Sequence, residues 1–273
     1  MVCVVQDYMN KMPELLASFG RIILALGVVY ALVALGAHFL SLRMLFPRPP
    51  VTYEQTPDYL QLTAPDGVKL AARHWPNPPA KYTLLYLHGN YEDLGRVAEY
   101  MPQFLSAGYA VFALDYRNYG RSGGMPTEAN TCADVQLAYD YLHDKLGVPA
   151  DRIVIFGYSL GCGPGVELAL HRPAAGLVLQ SAFVSSYRVM THFRVFPGDK
   201  FVNIAKVPQL KLPVLVIHGT ADMTIPSWHS EALFGAITAR KTKFFIEGGQ
   251  HTGLSDYAGP RYWEELKKFT DSL

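Results

Sequence analysis

The pentapeptide Gly157-Tyr158-Ser159-Leu160-Gly161 sets one hydroxyl between two glycines. In a chain of this Gly and Ser content such a pattern arises by chance roughly once in ten sequences, so its surroundings must decide what it is. A serine becomes a nucleophile only where a neighbouring base takes its proton. Here the β-rich run "RIVIFGY" ends directly at Ser159, and a Gly-rich helix start, "LGCGPGVELALHR", follows it. A strand that turns sharply into a helix presents the serine at the turn, and the strained backbone demands small residues at Gly157 and Gly161. The helix N-terminus behind the hydroxyl favours negative charge developing there. The plain alternative is a serine that only caps the helix.

The base for such a serine is a histidine whose neutral ring accepts the proton. Of nine histidines, His251 follows the last strand-like run and two glycines, in "IEGGQHTGL". His88 and His218 close the runs "YLHG" and "VIHG" and read as buried histidines that bond nearby loops. His38 falls in the apolar N-terminal segment. His74, His143, His171, His192 and His229 have no comparable placement. Asp222, after "VLVIHGTA", is placed to orient the imidazole and stabilise its cation; it could instead cap a helix near Pro226. Asp115, after "YAVFAL", is the rival acid and reads as a loop-structuring residue. A tetrahedral oxyanion needs backbone N–H donors. Leu160, next to the serine, supplies one, and Asn90 in the loop "HGNY" the other. Tyr91 is the second choice there, and a simple tight turn is the bland reading of that loop.

These residues must be brought together by the elements between them. "YTLLYLHG", "YAVFALDY", "RIVIFGYS", "GLVLQSA", "PVLVIHG" and "TKFFIEGG" read as strands, alternating with helical stretches such as "LGRVAEYMPQFLSAG" and "ADVQLAYDYLHDKLG". "LQLTAP" and "KLAARHWP" flank Asp66-Gly67 as a hairpin. The alternation predicts an α/β fold with a mostly parallel central sheet flanked by helices on both faces. In such sheets sites lie beyond the C-terminal strand ends, which is where Ser159, Asp222 and His251 fall.

The chain has 273 residues, 24 basic and 23 acidic, with a formal net charge of +1. That balance gives no support to a nucleic-acid partner. Cys3, Cys132 and Cys162 are far apart and in no metal spacing, and read as free thiols. Residues 22–42, "IILALGVVYALVALGAHFLSL", carry no Asp, Glu, Lys or Arg. As a helix they extend about 31 Å, which matches a bilayer core. Residues 1–46 are expected to be a retained single-pass membrane anchor. A cleaved signal peptide and a buried or interfacial helix are the alternatives. Lys11 and Arg21 balance Arg43 and Arg48, so orientation is left open. Residues 8–19 suit a short amphipathic helix lying on the membrane. The Pro-rich residues 47–58 read as a linker and 59–273 as the catalytic domain.

The blocks "LHGNYEDLG", "DYRNYGRSGG", "GYSLGCGPGVELA", "DKFVNIAKV", "LPVLVIHGTADMTIP" and "GGQHTGL" resemble the signatures of one branch of the α/β-hydrolases. It is the membrane-associated "α/β-hydrolase domain-containing" branch, with depalmitoylase-like and lysophospholipase-like members. The order Ser159, Asp222, His251 is the one that fold uses. The resemblance implies that these three form a triad, with Asn90 and Leu160 at the oxyanion. It implies no metal or organic cofactor. Pro164 matches a pattern of the branch; Cys162 departs from it, standing where Thr or Gly is commoner, and is given no chemistry. The function expected is cleavage of ester or thioester bonds in lipid-like or acylated substrates, with the lipid bilayer as partner. A peptidase of the prolyl-oligopeptidase type, or a silent scaffold on the same fold, are the alternatives. About thirty residues, 183–212, separate two strands, too few for a large lid. There Phe183, Tyr187, Met190, Phe193, Phe196 and Phe201 are candidates for core or for an acyl pocket.

Overall fold

The computed structural model describes residues 2–193 and 196–273, with the side chains of 2–8 and 10 left aside. In chain order the elements are α1 (Val2–Leu45), β1 (Tyr59–Thr63), β2 (Lys69–Trp75), β3 (Thr83–Leu87), α2 (Leu94–Ser106), β4 (Ala110–Leu114) and α3 (Glu128–Asp140). They continue with β5 (Ile153–Tyr158), α4 (Cys162–His171), β6 (Gly176–Gln180), α5 (Asn203–Lys206), β7 (Val214–Gly219), α6 (Trp228–Ala236), β8 (Lys241–Ile246), α7 (Leu254–Ala258) and α8 (Pro260–Asp271). The eight strands form one sheet in the order β1-β2-β4-β3-β5-β6-β7-β8. The β1–β2 hairpin and the β2–β4 pair are antiparallel, and all other pairs are parallel.

Strands β3 to β7 carry no Asp, Glu, Lys or Arg because both faces are covered. Their side chains alternate between two cores with the period of a strand. Leu85, Leu87, Ile153, Ile155, Leu177, Leu179, Val214 and Val216 face α3, α4 and α6. Leu84, Tyr86, Val154, Phe156, Val178, Leu215 and Ile217 face α2, α7 and α8. On α2, Leu94, Val97, Met101 and Phe104 line one buried stripe. Burying each such side chain stabilises the fold by about 1.5–3 kcal/mol. Asp93 caps that helix by accepting from Arg96 N at 3.1 Å.

The N-terminal segment differs from the expected short surface helix followed by a span. α1 is a single helix of 44 residues that continues through Pro13. Between residues 19 and 21 only Gly20 weakens it, and a lone glycine costs a helix about 1 kcal/mol. From Lys11 to Leu45 it is long and apolar enough to cross a membrane. Its C-terminal part is not free on all sides. Ala34, Ala37, His38, Ser41, Leu42 and Leu45 are half-buried, at the spacing of one helical face, whereas their neighbours are exposed.

The expected boundaries at 46 and 58 also shift. Phe46, assigned to the anchor, is a core side chain whose ring lies 6.3 Å from that of Phe201. The expected linker is docked where it carries groups that the domain can satisfy. Thr52 N donates to Asp93 Oδ2 at 2.7 Å, Tyr53 OH donates to Asp115 Oδ2 at 2.6 Å, and Glu54 pairs with Arg121 at 2.8 Å. Tyr53 also stacks on Tyr59, with centroids 4.3 Å apart. An aromatic ring and two carboxylates that need donors outweigh the prolines that suggested a free coil. Phe46→Ala should therefore destabilise the domain by about 3 kcal/mol, as for other buried Phe truncations. A lowered urea midpoint of the full-length protein in detergent is the expected result.

Candidate active site

Ser159 stands at the end of β5 with φ +51°, in the left-handed region that few non-glycine residues occupy. The neighbouring glycines are required by space. A Cβ on Gly161 would overlap the carbonyl oxygen of Leu87 at the end of β3, and one on Gly157 would lie 2.8 Å from Cys162 Cα. Cys162, the first residue of α4, donates its thiol to the Gly157 carbonyl at 3.2 Å and the Gln180 carbonyl at 3.3 Å. Burial pushes that thiol far above its ordinary range, which keeps it an inert hydrogen-bond donor. Cys132 is likewise free, and the side chain of Cys3 lies outside the described residues.

The three residues drawn from separate strand ends meet. Ser159 Oγ is 3.0 Å from His251 Nε2, and His251 Nδ1 is 2.7 Å from Asp222 Oδ2. Asp222, ionised, can only accept, so Nδ1 carries the proton and Nε2 is the ring's acceptor for the Ser159 hydroxyl. The other carboxylate oxygen, Oδ1, accepts from Thr224 N at 2.9 Å and Ile225 N at 2.8 Å. Burial alone would raise the Asp222 carboxyl. The N–H groups of His218, His251 and Ile225 overcome it and hold the group well below the usual carboxylate range. Asp115 is elsewhere: it takes Tyr53 OH and Leu94 N and lies 3.5 Å from His88 Nε2, tying loops together as expected. His88 and His218 are both fully buried and bonded to loop carbonyls.

Asn90 sits in the loop after β3, beside Gly89. Its side-chain amide donates to the Met44 carbonyl at 3.2 Å, so any role at an oxyanion falls to its backbone N–H. Glu92 shapes this loop, accepting Gly89 N at 2.8 Å and Tyr100 OH at 2.9 Å. Two hydroxyls hold the main chain of His251: Tyr158 OH and Ser181 Oγ each reach its carbonyl oxygen at 3.3 Å. Glu92, Tyr158 and Ser181 were not singled out from the sequence, because their partners are backbone groups that no motif displays. Of the six cap residues, Phe183 and Phe201 are core and Tyr187 is 8% exposed. Met190 and Phe193 are 72% and 71% exposed, and Phe196 meets Tyr30 of α1 with ring centroids 5.7 Å apart.

The human α/β hydrolase domain-containing protein 17B is 36% identical over 196 residues, which cover 71% of this chain and 67% of that protein. The chain belongs to the α/β-hydrolase domain-containing family. A second relative, aho-3 of Caenorhabditis elegans, is 36% identical over 204 residues, 72% of this chain; the match spans only 59% of the nematode protein. A family model described as serine aminopeptidase, S33, matches residues 78–203. Among solved structures, the Pyrococcus furiosus esterase Pf2001 superposes with a TM-score of 0.68 at 19% identity, over 82% of this chain and 98% of its own. The esterase RhEst1 from Rhodococcus sp. ECU1013 gives 0.62 at 20% identity, over 79% and 99%. At those identities the superpositions show the α/β-hydrolase fold.

The depressed Asp222 carboxyl links the site to stability. Its contribution is fully present above the unfolded pKa, about 3.9, and is lost as pH falls towards the lower folded value. Replacing it with Asn removes that dependence. Urea midpoints followed from pH 7 down to about 3 should fall less steeply for Asp222→Asn than for the native protein below about pH 4.

Proposed function

We propose that this protein is a membrane-anchored serine hydrolase that cleaves carboxylic ester or thioester bonds of acylated, lipid-like substrates. The observation that carries the reading is the pair of contacts at 3.0 and 2.7 Å linking Ser159, His251 and Asp222. Ser159 Oγ attacks the acyl carbonyl while its proton passes to His251 Nε2, and Asp222 stabilises the resulting imidazolium. The backbone N–H groups of Asn90 and Leu160 receive the oxyanion. The tetrahedral intermediate collapses, His251 returns the proton to the departing alcohol or thiol, and an acyl-enzyme remains. Water, deprotonated by His251, then attacks the acyl carbon and regenerates Ser159 with release of the acid.

The acylated, membrane-borne substrate is supported by where the apolar surface lies. Tyr91 follows Asn90, Met223 follows Asp222, and Met190 and Phe193 belong to the cap; all four are more than two-thirds exposed, at 71–87%. They share the C-terminal edge of the sheet with Ser159, and α1 joins the domain at that same edge through Met44 and Phe196. Tethering there raises the effective concentration of substrates held in the bilayer. A second reading is an aminopeptidase, favoured by the description of the matching family model. Parallel assays on p-nitrophenyl acyl esters, acyl thioesters and aminoacyl-p-nitroanilides separate the two.

Ser159→Ala should abolish both ester hydrolysis and fluorophosphonate labelling in a folded protein, and Asp222→Asn should lower turnover on the order of 10⁴-fold. Persistent labelling of folded Ser159→Ala would remove the assignment. Removing residues 1–33 spares the half-buried stripe and Phe46. That truncation should keep the rate on p-nitrophenyl butyrate and slow, at least tenfold as an order-of-magnitude figure, hydrolysis of long-chain esters presented in liposomes. Equal rates on liposomes at matched enzyme concentration would leave a soluble esterase instead.

A further inference from the structure

His218 closes β7, four residues before Asp222, and its side chain is fully buried. Its Nε2 lies 2.8 Å from the Ile225 carbonyl. A carbonyl can only accept, so Nε2 carries a proton. The same Nε2 is 3.3 Å from Asp222 Oδ2, the oxygen that also takes the N–H of His251. On the far side of the ring, Nδ1 meets Ser230 Oγ of α6 at 2.6 Å, and Ser230 Oγ reaches the Ala182 carbonyl at 3.4 Å. The hydroxyl therefore serves the ring in either state. It donates to Nδ1 of the neutral imidazole, or accepts from the imidazolium and donates to Ala182. A continuous line of polar contacts thus runs Ser230, His218, Asp222, His251, Ser159.

A buried histidine that merely closed a loop would be satisfied by Ile225 and Ser230. This one also shares the single carboxylate oxygen on which His251 depends. We propose that His218, held by Ser230, is a positioning residue for the hydrolytic reaction: it fixes the Asp222 carboxylate and draws charge from Oδ2, and so sets how strongly Asp222 stabilises the His251 imidazolium. The role rests on the triad reading above and adds a second imidazole behind the acid. Among the described residues, the titratable groups facing His218 and Ser230 include Asp222 on the same loop, His229 on α6 and, across Asp222, His251. From β8 the ring of Phe245 lies 6.0 Å away, and the segment after β6 supplies the Ala182 carbonyl. Across the triad, Tyr158 stands beside His251, with ring centroids 5.7 Å apart.

With the His218 N–H removed, more negative charge rests on Oδ2, the protonated form of His251 is favoured, and the base is available only at higher pH. The acidic limb of kcat/KM reports that protonation in the free enzyme. The test uses full-length protein in detergent with p-nitrophenyl butyrate. His218→Leu should raise the acidic limb by about 0.5–1 pH unit and lower kcat about tenfold, with KM unchanged. His218→Gln, which can present an N–H near the Nε2 position, should restore the limb. Ser230→Ala should shift it in the same direction by less. A folded, probe-labelled His218→Leu whose limb stays at the native pH overturns the proposal, as does a Gln variant no better than Leu. If His218→Leu does not fold, Ser230→Ala decides: a native limb there overturns the proposal and a raised one supports it. Loss of Ser159-dependent labelling in the native protein would overturn the hydrolase reading and this role together, whereas labelling with an unmoved limb overturns the positioning role alone.

Discussion

The close approach of the Ser159 turn to the end of β3 governs the geometry around it. β3 and β5 pair in parallel with Leu87 opposite Gly157, and Gly161 then packs its backbone against the Leu87 carbonyl. Any side chain at Gly161 would push the two strand ends apart. Leu87 is followed within three residues by Asn90, so one backbone contact sets the distance between the serine and the loop that faces it. The cost of holding Ser159 at a left-handed φ, about 1–3 kcal/mol, is offset by the fully buried strand before it and the buried start of α4 behind it.

Once that distance is set, the remaining groups are positioned by hydrogen bonds to the main chain. Asp222 is held by two backbone N–H groups on one oxygen and two imidazoles at the other. His251 is fixed from the opposite side, through its own carbonyl, by Tyr158 and Ser181. These contacts restrict the imidazole without touching the nitrogen that faces Ser159. Glu92 does the corresponding work on the loop after β3, where it takes the Gly89 N–H and is itself held by Tyr100. Each restraint comes from a different strand end, so the integrity of the sheet and the shape of the site are the same physical requirement.

That division explains what could be read from the sequence. Uncharged runs such as "IVIF" and "VLVI" announce strands covered on both faces, and the rule that chemistry follows C-terminal strand ends narrows the candidates to a few groups, Ser159, Asp222 and His251 among them. Asp115 could be separated from Asp222 by chain order, and its bonds to Tyr53 and Leu94 give the physical reason. What escaped is of two kinds. Ser181, Tyr158 and Glu92 act on backbone groups, and a backbone acceptor leaves no trace in residue types. Phe46 closes the expected anchor and Tyr53 lies in a stretch whose prolines suggested free chain, and the docked partners reveal that both rings are needed by the domain.

The same blindness applies to α1. In a run where almost every residue is apolar, hydrophobic periodicity carries no contrast, and a face that touches protein cannot be told from one that touches solvent or lipid. The structure supplies the contrast. Ala34, Ala37, His38, Ser41, Leu42 and Leu45 are half-buried, and four of them are small or polar, suited to close approach by another segment of the protein rather than to hydrocarbon. From Tyr30 to Leu45 the helix rises about 22 Å. Phe196 meets it at the upper end of that interval and Asn90 near the lower, at Met44. On the proposed membrane reading, the cap must therefore follow α1 for most of this length. The lipid-facing surface of the protein is then a composite of the outer side of the helix and the exposed cap side chains Met190 and Phe193. An anchor that only tethered the domain would need no such stripe. On the proposed reading, one that lies along the cap would bring a membrane-held acyl chain to the same edge of the sheet at which Ser159 is presented.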